Sequence, residues 1–328
     1  MLSTDLFNEI LLQPVRDGAN RLFIVSGYAT AAMTFHHFET IRQMNSDISI
    51  SLIVGMTPQD GLSLSNHRAF QKLAEDDFPD NFECSYIVNS PPVHSKIYAW
   101  FENDKPLLGF IGSANYTQRA FGTYQREIMS LLDAEKGYQY FDSLAADSIY
   151  CNHPEAENFV NIYNDIYQTR RRREREQIEE KQIVLTPEIQ GLEFVNVSLL
   201  DKGGNLPQRS GLNWGQRPEE HREPNQAYIR LPAEVNRTDF FPERAQHFTV
   251  LTDDGKVLIC TRAQDQGKAI HTPHNNSLIG EYFRNRLGVP FGRPVQTEDL
   301  IRYGRTDIVF YKLDEETYYM DFSPYENG

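Results

Sequence analysis

The chain has 328 residues, enough for two domains with separate hydrophobic cores. Its formal net charge is −14 at pH 7, which excludes a uniformly basic nucleic-acid binder, so any DNA site must be a local patch on an acidic protein. With no apolar run of transmembrane length and no basic start typical of a signal peptide, we expect a cytoplasmic protein without membrane contact. The three cysteines are far apart, which predicts free thiols and no zinc site.

The first half of the chain alternates predicted strands with predicted helices. The strands are residues 21–26, 48–54, 84–88 and 127–132, and the helices are residues 29–43, 62–75 and 134–149. This alternation favours an α/β domain over residues 1–154, in which helices flank a mixed sheet on both faces. A helical, charge-dense linker is predicted over residues 155–182.

A hairpin within this domain carries candidate phosphate-binding side chains. His94 and Lys96 share a face if the first arm is a strand. The apolar second arm, residues 107–111, returns the chain at Ser113 and Asn115. Antiparallel pairing therefore brings all four side chains together at one end of the hairpin.

Two further features are expected to complete this site. A short helix over residues 114–120 would direct its free amide groups toward a bound anion. Glu127, at the entrance of the next strand, would orient the imidazole of His94.

The hairpin resembles the repeating motif of the phospholipase D superfamily, His-x-Lys followed by Gly-Ser-x-Asn. In the usual form of that motif an Asp lies seven residues after the His, a position occupied here by Phe101. A Glu shortly after the Asn is a feature of the nuclease branch, to which this sequence is therefore similar. The spacing from Asn115 to Glu127 is one residue longer than expected for that branch.

The side chains themselves indicate the chemistry. A neutral His94 is a competent nucleophile toward a phosphodiester and would form a phosphohistidine. Lys96, Ser113 and Asn115 can stabilise the charge of the transition state, so no metal or other cofactor is expected. A second histidine is needed to protonate the leaving oxygen. Because the chain contains a single His-x-Lys, the second His94 must come from another subunit, which predicts a homodimer through the nuclease domain.

The second half, predicted as a domain over residues 183–328, consists mainly of short strands and turns. The predicted strands are residues 192–197, 227–231, 248–251, 257–260, 308–311 and 318–322, and one helix is predicted over 277–286, capped at Ser277. A sheet of this kind, with an Asp-Gly turn at 253–256, favours a small barrel that closes its own edges.

Two polar loops of this half carry the side chains that read base edges in the major groove. The candidate DNA-binding residues of the first loop are Arg209, Ser210, Asn213, Trp214, Gln216 and Arg217. Those of the second loop are Arg262, Gln264, Asp265, Gln266, Lys268 and His271. This half resembles the B3-like DNA-binding fold, a pseudobarrel that grips DNA between two such arms.

The two halves together are similar to the NgoFVII family of restriction endonucleases and their BfiI-like relatives. That resemblance implies a sequence-specific, metal-independent type II restriction endonuclease that acts on double-stranded DNA in a restriction-modification system. It leaves open whether a partner ATPase or helicase, or a companion methyltransferase, is needed. Two alternatives are a non-specific phospholipase D-type phosphodiesterase and a catalytically inert DNA-binding regulator.

Overall fold

The computed structural model describes residues 1–122, 124–165 and 191–325. The chain divides into two compact units, Met1–Asn164 and Asp165–Gly328. Most of the predicted linker, residues 166–182, lies outside the described residues. The predicted domain boundaries therefore stay predictions.

The first unit contains a seven-stranded mixed sheet. Its strands, with a separate two-stranded pair formed by β3 and β9, are β1 (Arg21–Ser26), β2 (Ser49–Val54), β3 (Leu62–Ser63), β4 (Phe82–Ile87), β5 (Lys96–Glu102), β6 (Lys105–Gly112), β7 (Met129–Leu132), β8 (Ser148–Tyr150) and β9 (Ile162–Tyr163). The strand order in the large sheet is β7-β6-β5-β1-β2-β4-β8. β1, β2 and β4 are parallel, and β5, β6, β7 and β8 each run antiparallel to a neighbour.

Helices connect and cover these strands, as the α/β prediction requires. They are α1 (Gln13–Arg16), α2 (Ala31–Gln43), α3 (Thr57–Asp60), α4 (Leu64–Lys72), α5 (Gln118–Phe121), α6 (Ala134–Ala145) and α7 (Ala156–Phe159), with π-helical turns at Phe7–Leu12 and Leu73–Asp77. Tyr138 and Phe141 of α6 pack on Phe23 and Phe101. Phe101, which stands where the usual motif has Asp, is thus a core residue.

Three local predictions for this unit were wrong. His94 precedes β5 instead of lying in it. The helix expected at 114–120 is the single turn α5, which begins at Gln118 because Thr117 caps it. The helix expected from residue 155 onward stops at Phe159. β9 then pairs with β3, so the backbone N–H and C=O groups there bond to another strand instead of within a helix.

The second unit is built on another seven-stranded sheet, in the order β10-β15-β16-β12-β13-β14-β11. Its strands are β10 (Phe194–Ser198), β11 (Ile229–Arg230), β12 (His247–Thr252), β13 (Val257–Ala263), β14 (Ala269–His271), β15 (Asp307–Lys312) and β16 (Thr317–Asp321). All neighbouring pairs are antiparallel except β12 and β16. The sheet curls into a nearly closed barrel around a single apolar core.

The helices of this unit are α8 (Ala233–Asn236), α9 (Ser277–Leu287) and α10 (Thr297–Tyr303), with 3₁₀ turns at Gly211–Asn213, Pro218–Glu220 and Asp265–Gly267. The sequence pattern predicted α9 but missed α10 and β14. The N-cap of α9 is Asn276 instead of Ser277, whose hydroxyl donates to Glu223. The helix ends as predicted before Gly288, whose φ of +67° only a glycine adopts without strain.

Candidate active site and DNA-binding arms

The topology of the first unit gathers the motif residues at one edge of the sheet. Ser26, the last residue of β1, pairs with Lys96, the first residue of β5, because these strands are antiparallel. β6 ends at Gly112 beside the start of β5. The edge lies at the carboxyl ends of the parallel strands, where α/β sheets form their binding crevices.

His94 and Lys96 lie against each other at this edge. The Lys96 Nζ atom is 3.2 Å from Nδ1 and 3.1 Å from Nε2 of His94, and it donates to the His94 carbonyl oxygen at 2.8 Å. His94 is exposed, whereas Lys96 is only 5% exposed. Burial lowers the pKa of Lys96, and the negative charge of Glu127 acts in the opposite direction. An exposed imidazole is thus held beside a buried amine.

Gly27 and Tyr28, which follow β1, form the wall against which His94 packs. A Cβ atom on Gly27 would lie 3.0 Å from Cδ2 of His94 and 3.4 Å from Oδ1 of Asn115, so only glycine leaves these side chains their present positions. The Tyr28 ring meets the imidazole edge-on at 6.0 Å. The hydroxyl of Tyr28 donates to Asp60 at 2.5 Å, and this bond, with burial, raises the pKa of Tyr28 to about 12.

Ser113, Asn115 and Glu127 are all at the same edge, but Glu127 does not orient His94. The Glu127 carboxylate accepts the hydroxyl proton of Ser113. The Ser113 hydroxyl oxygen in turn accepts the amide of Ile128 at 3.0 Å. Asn115 accepts the Tyr28 amide at 3.2 Å. The expectation that Glu127 holds the imidazole is therefore corrected, since in this chain it fixes the Ser113 hydroxyl.

The amides expected to face a bound anion are also engaged elsewhere. The amide of Ser113 donates to the carbonyl of Ile128 at 3.0 Å. The amide of Tyr116 donates to Ser26 Oγ at 2.9 Å. These bonds hold the Gly-Ser-x-Asn turn against β1 and β7, which is why no helix begins there.

A buried network supports this turn from below. The side chain of His37 lies 2.8 Å from the Tyr116 hydroxyl through Nδ1 and 3.1 Å from the carbonyl oxygen of Leu11 through Nε2. Since a carbonyl can only accept, Nε2 carries the proton and Nδ1 accepts from Tyr116. Burial lowers the pKa of His37 to about 3, partly offset by the bond to Leu11. Sequence spacing gave no sign of this contact.

In the second unit, the first arm combines exposed cations with structural residues. Arg209 is paired with Glu219, and Arg217 Nη1 lies 3.0 Å from Glu220. Ser210 and the half-buried Trp214 flank this loop. Arg222, which the sequence pattern missed, stacks over Trp214 with its guanidinium carbon 4.0 Å from the ring centroid. An aromatic residue followed by an arginine in the same loop was the available signal.

Two residues of the first arm do not fit the predicted role. Asn213 is fully buried, and its side chain binds the backbone of Val295 in both directions at 2.8 Å. Gln216 donates to the carbonyl oxygens of Pro224 and Gly292. Their polar atoms hold neighbouring loops in place, so the prediction that these two residues read bases is corrected.

The second arm divides in the same way. Arg262 is committed to the backbone: its guanidinium donates to Gly267 O at 3.1 Å and to Asn236 Oδ1 at 2.7 Å, which corrects its assignment as a base reader. Gln264, Asp265, Gln266 and Lys268 are exposed at the tip, and His271 is half-buried on β14. Gln264 and Gln266 have positive φ values of 64° and 62°, which turn the chain sharply around this tip.

Family models describe both parts of the chain. Residues 4–158 match the NgoFVII restriction endonuclease N-terminal PLD domain, and residues 188–314 match the NgoFVII C-terminal B3-like DNA-binding domain. The chain belongs to the NgoFVII restriction endonuclease family. It joins a phospholipase D-like nuclease domain to a B3-like pseudobarrel, the two parts of a sequence-specific nuclease whose partner is DNA, as the sequence predicts.

Solved structures similar to this NgoFVII-family chain include two bacterial proteins, NucT and Nuc. NucT from Helicobacter pylori is 15% identical over 44% of this chain and 91% of its own, with a TM-score of 0.32. Nuc from Salmonella typhimurium, a phospholipase D family member, is 14% identical over 44% of this chain and 89% of its own, also with a TM-score of 0.32. No protein with a curated description shows significant similarity.

Two absences in the NgoFVII-family chain hold for the described residues alone. Within them, no helix is long and apolar enough to cross a membrane. No group of three or more His, Cys, Asp or Glu side chains in the same ranges is placed to hold a metal ion.

Proposed function

We propose that this protein is a type II restriction endonuclease that cleaves double-stranded DNA without a metal, through a phosphohistidine on His94. The observation that carries the proposal is the contact between an exposed imidazole and a buried lysine at the edge where Ser113 and Asn115 also lie. A neutral imidazole is a competent nucleophile toward phosphorus, and Lys96 beside it can hold a non-bridging oxygen of the phosphate.

The reaction has two balanced steps. A ring nitrogen of His94 attacks phosphorus, an N–P bond forms, and the P–O bond to one DNA end breaks as that oxygen takes a proton from a general acid. Water then attacks phosphorus, an O–P bond forms and the N–P bond to His94 breaks, the same group takes the proton from the water, and the second DNA end leaves with the phosphate. Lys96 and Asn115 stabilise the charge on the non-bridging oxygens, with the Ser113 hydroxyl positioned by Glu127.

The general acid is His94 of a second copy of the chain, because the sequence has one His-x-Lys and the reaction needs two histidines. Exposed apolar side chains on and beside β6 and β7 support such a dimer next to the site. Ile111 is 40% exposed and Ile128 is 45% exposed, and both lie on one face of the sheet, since Ile111 pairs with Ser130, two residues after Ile128. An isologous contact through this surface brings like residues of two copies together.

The second unit supplies sequence specificity through the exposed or half-buried arm residues other than Asn213, Gln216 and Arg262. These are Arg209, Ser210, Trp214, Arg217, Gln264, Asp265, Gln266, Lys268 and His271. Arginine can fork onto guanine or a phosphate, and glutamine can pair with adenine.

The decisive experiment is digestion of plasmid DNA by the full chain in EDTA. We expect discrete fragments from the wild-type protein and none from His94→Ala, which should still bind the same DNA. His153→Ala, which removes another exposed histidine of the first unit, is the matched control and should cut normally. Smeared DNA would instead identify a non-specific phosphodiesterase, and intact DNA that shifts in a gel would identify an inert regulator.

The dimer has its own test. Ile111→Glu should convert the protein to monomers in light scattering and abolish cleavage while leaving each unit folded. A fully active monomer would refute the shared site.

A further inference from the structure

A cavity of about 200 Å³ adjoins the candidate active site in the first unit. It is formed by the segments that follow β1 and β2, at the same sheet edge as His94. Gly27, Tyr28 and Met56 line it. A Cβ atom added to Gly27 would contact both Met56 and His94. The cavity and the proposed nucleophile therefore share a wall.

The walls of the cavity suit a flat, partly polar ring. Tyr28 and Tyr163 supply aromatic groups, and Leu62, Val54 and Met56 supply apolar ones. An apolar cavity of about 150 Å³ takes a benzene ring, so this volume accommodates a ring with exocyclic groups. Nucleobases stack on aromatic side chains regardless of sequence.

A carboxylate gives the cavity a polar preference. Asp60 accepts the Tyr28 hydroxyl on Oδ2 at 2.5 Å, and none of the described residues donates a hydrogen bond to its Oδ1. An ionised carboxylate only accepts hydrogen bonds, so it favours a base that presents an amino group and disfavours a phosphate. Aspartate and glutamate accept in this way from the amino group of cytosine.

We propose that the cavity is a subsite for one unstacked nucleobase with an exocyclic amino group, taken from the nucleotide next to the phosphate that His94 attacks. The inference rests on the proposed nuclease function and names which part of the substrate lies beside the reacting phosphate. Tyr28 links the two places, since its ring contacts His94 while its hydroxyl is bonded to Asp60. Binding of the base would hold the strand in register with the nucleophile.

The test combines a variant with a substrate that lacks the base. Once the cut site of the wild-type protein is mapped, duplexes are made that are either intact or abasic at the nucleotide beside the scissile phosphate. Asp60→Asn should lower kcat/KM about 10-fold on the intact duplex, the effect of one lost charged hydrogen bond. On the abasic duplex Asp60→Asn should have no effect on kcat/KM, because the base with which Asp60 interacts is already absent. Asp142→Asn, on the exposed face of α6, is the matched control and should leave both rates unchanged.

A purely structural role for Asp60 gives a different result. If Asp60 only positions Tyr28, Asp60→Asn slows cleavage of both duplexes equally, and so does Tyr28→Phe, which removes the hydroxyl bonded to Asp60. Equal slowing, or wild-type cleavage that is indifferent to loss of the base, overturns the subsite.

A binding measurement separates this inference from the nuclease function. Saturation-transfer NMR on the full-length protein with dCMP, and with dTMP for comparison, requires no cleavage. We expect transfer to the dCMP base that exceeds transfer to the dTMP base and is lost in Asp60→Asn. Absence of that difference overturns the subsite even if the enzyme cuts, whereas its presence without any cleavage refutes only the nuclease proposal.

Discussion

Gly27→Ala is the sharpest probe of the proposed site, because it adds one methyl group at the wall behind the nucleophile. The backbone at Gly27 has no positive φ, so alanine fits the local conformation. The new Cβ would lie 3.0 Å from His94 Cδ2, 3.4 Å from Asn115 Oδ1 and 3.4 Å from Met56 Cγ. Carbon atoms in contact prefer a separation of about 3.5 Å or more, so the imidazole must retreat by roughly 0.5 Å.

The expected cost follows from that displacement. A misplacement of about 1 Å can reduce a rate about 100-fold, and half of it should reduce cleavage about 10-fold, or ~1.4 kcal/mol of transition-state stabilisation. Because His94 is exposed, the ring can move without unfolding the domain, and the melting temperature should change little.

The assay is single-turnover cleavage of a mapped duplex, with thermal melting as a check on folding. Gly203→Ala is the control: it makes the same substitution in the second unit, where the added Cβ meets only the ends of two exposed side chains, Asp201 Oδ1 at 3.2 Å and Asn205 Nδ2 at 3.5 Å. The control should cut at the wild-type rate. A Gly27→Ala protein that is folded and cuts within about twofold of wild type would refute the reasoning, since His94 would then tolerate the displacement.

Three other predictions concern charge and pH. Burial lowers the pKa of Lys96, so the cleavage rate should fall at alkaline pH, with a midpoint below the ordinary lysine pKa of about 10.5. Lys96→Arg should move that fall to higher pH. If the alkaline part of the pH profile is unchanged in the variant, Lys96 is not its cause. The pKa of His37 is about 3 in the folded protein, so between pH 6.5 and pH 3 only the unfolded chain protonates this imidazole. The free energy of unfolding should therefore fall by about 2 kcal/mol between pH 7.5 and pH 5 because of His37, and by less in His37→Gln. An equal dependence of the free energy on pH in the two proteins, measured by urea melts, would contradict this. Glu220→Gln frees Arg217 and Arg222 and should raise affinity for non-specific duplex DNA severalfold at low salt, with a steeper salt dependence; Glu298→Gln, another exposed carboxylate, should not.

The sequence predicts best what depends on neighbours along the chain. The alternating pattern located β1, β2 and β4, and the hairpin placed His94 near Ser113 and Asn115, since both arms and their turn are contiguous. What it missed depends on contacts between distant segments. The π-helical turn at Phe7–Leu12 and the strand β9 are examples, because each exists through packing and pairing that no local pattern encodes.

The same limit explains the errors at the site. Sequence distance placed Glu127 near the motif but could not determine which polar group would bind it, and in the structure Ser113 does so. The position of Gly27 and Tyr28 beside His94 follows only from the antiparallel pairing of β1 with β5. The sequence of a polar loop also does not show what its side chains bind, because Asn, Gln and Arg can form hydrogen bonds either to bases or to the protein's own backbone. Asn213 and Arg262 do the latter.

Ion pairs in the first arm explain how an acidic protein can bind DNA at specific sites. Arg209, Arg217 and Arg222 are all paired with Glu219 or Glu220 in the free protein. Exposed ion pairs of this kind contribute little stability, so a DNA phosphate or guanine in the right position can replace the carboxylate at small cost. DNA that offers only distant or misplaced phosphates meets a neutralised loop on a protein of net charge −14. The glutamates thereby reduce non-specific attraction more than they reduce binding at a matched site, which is the balance that a sequence-specific nuclease requires.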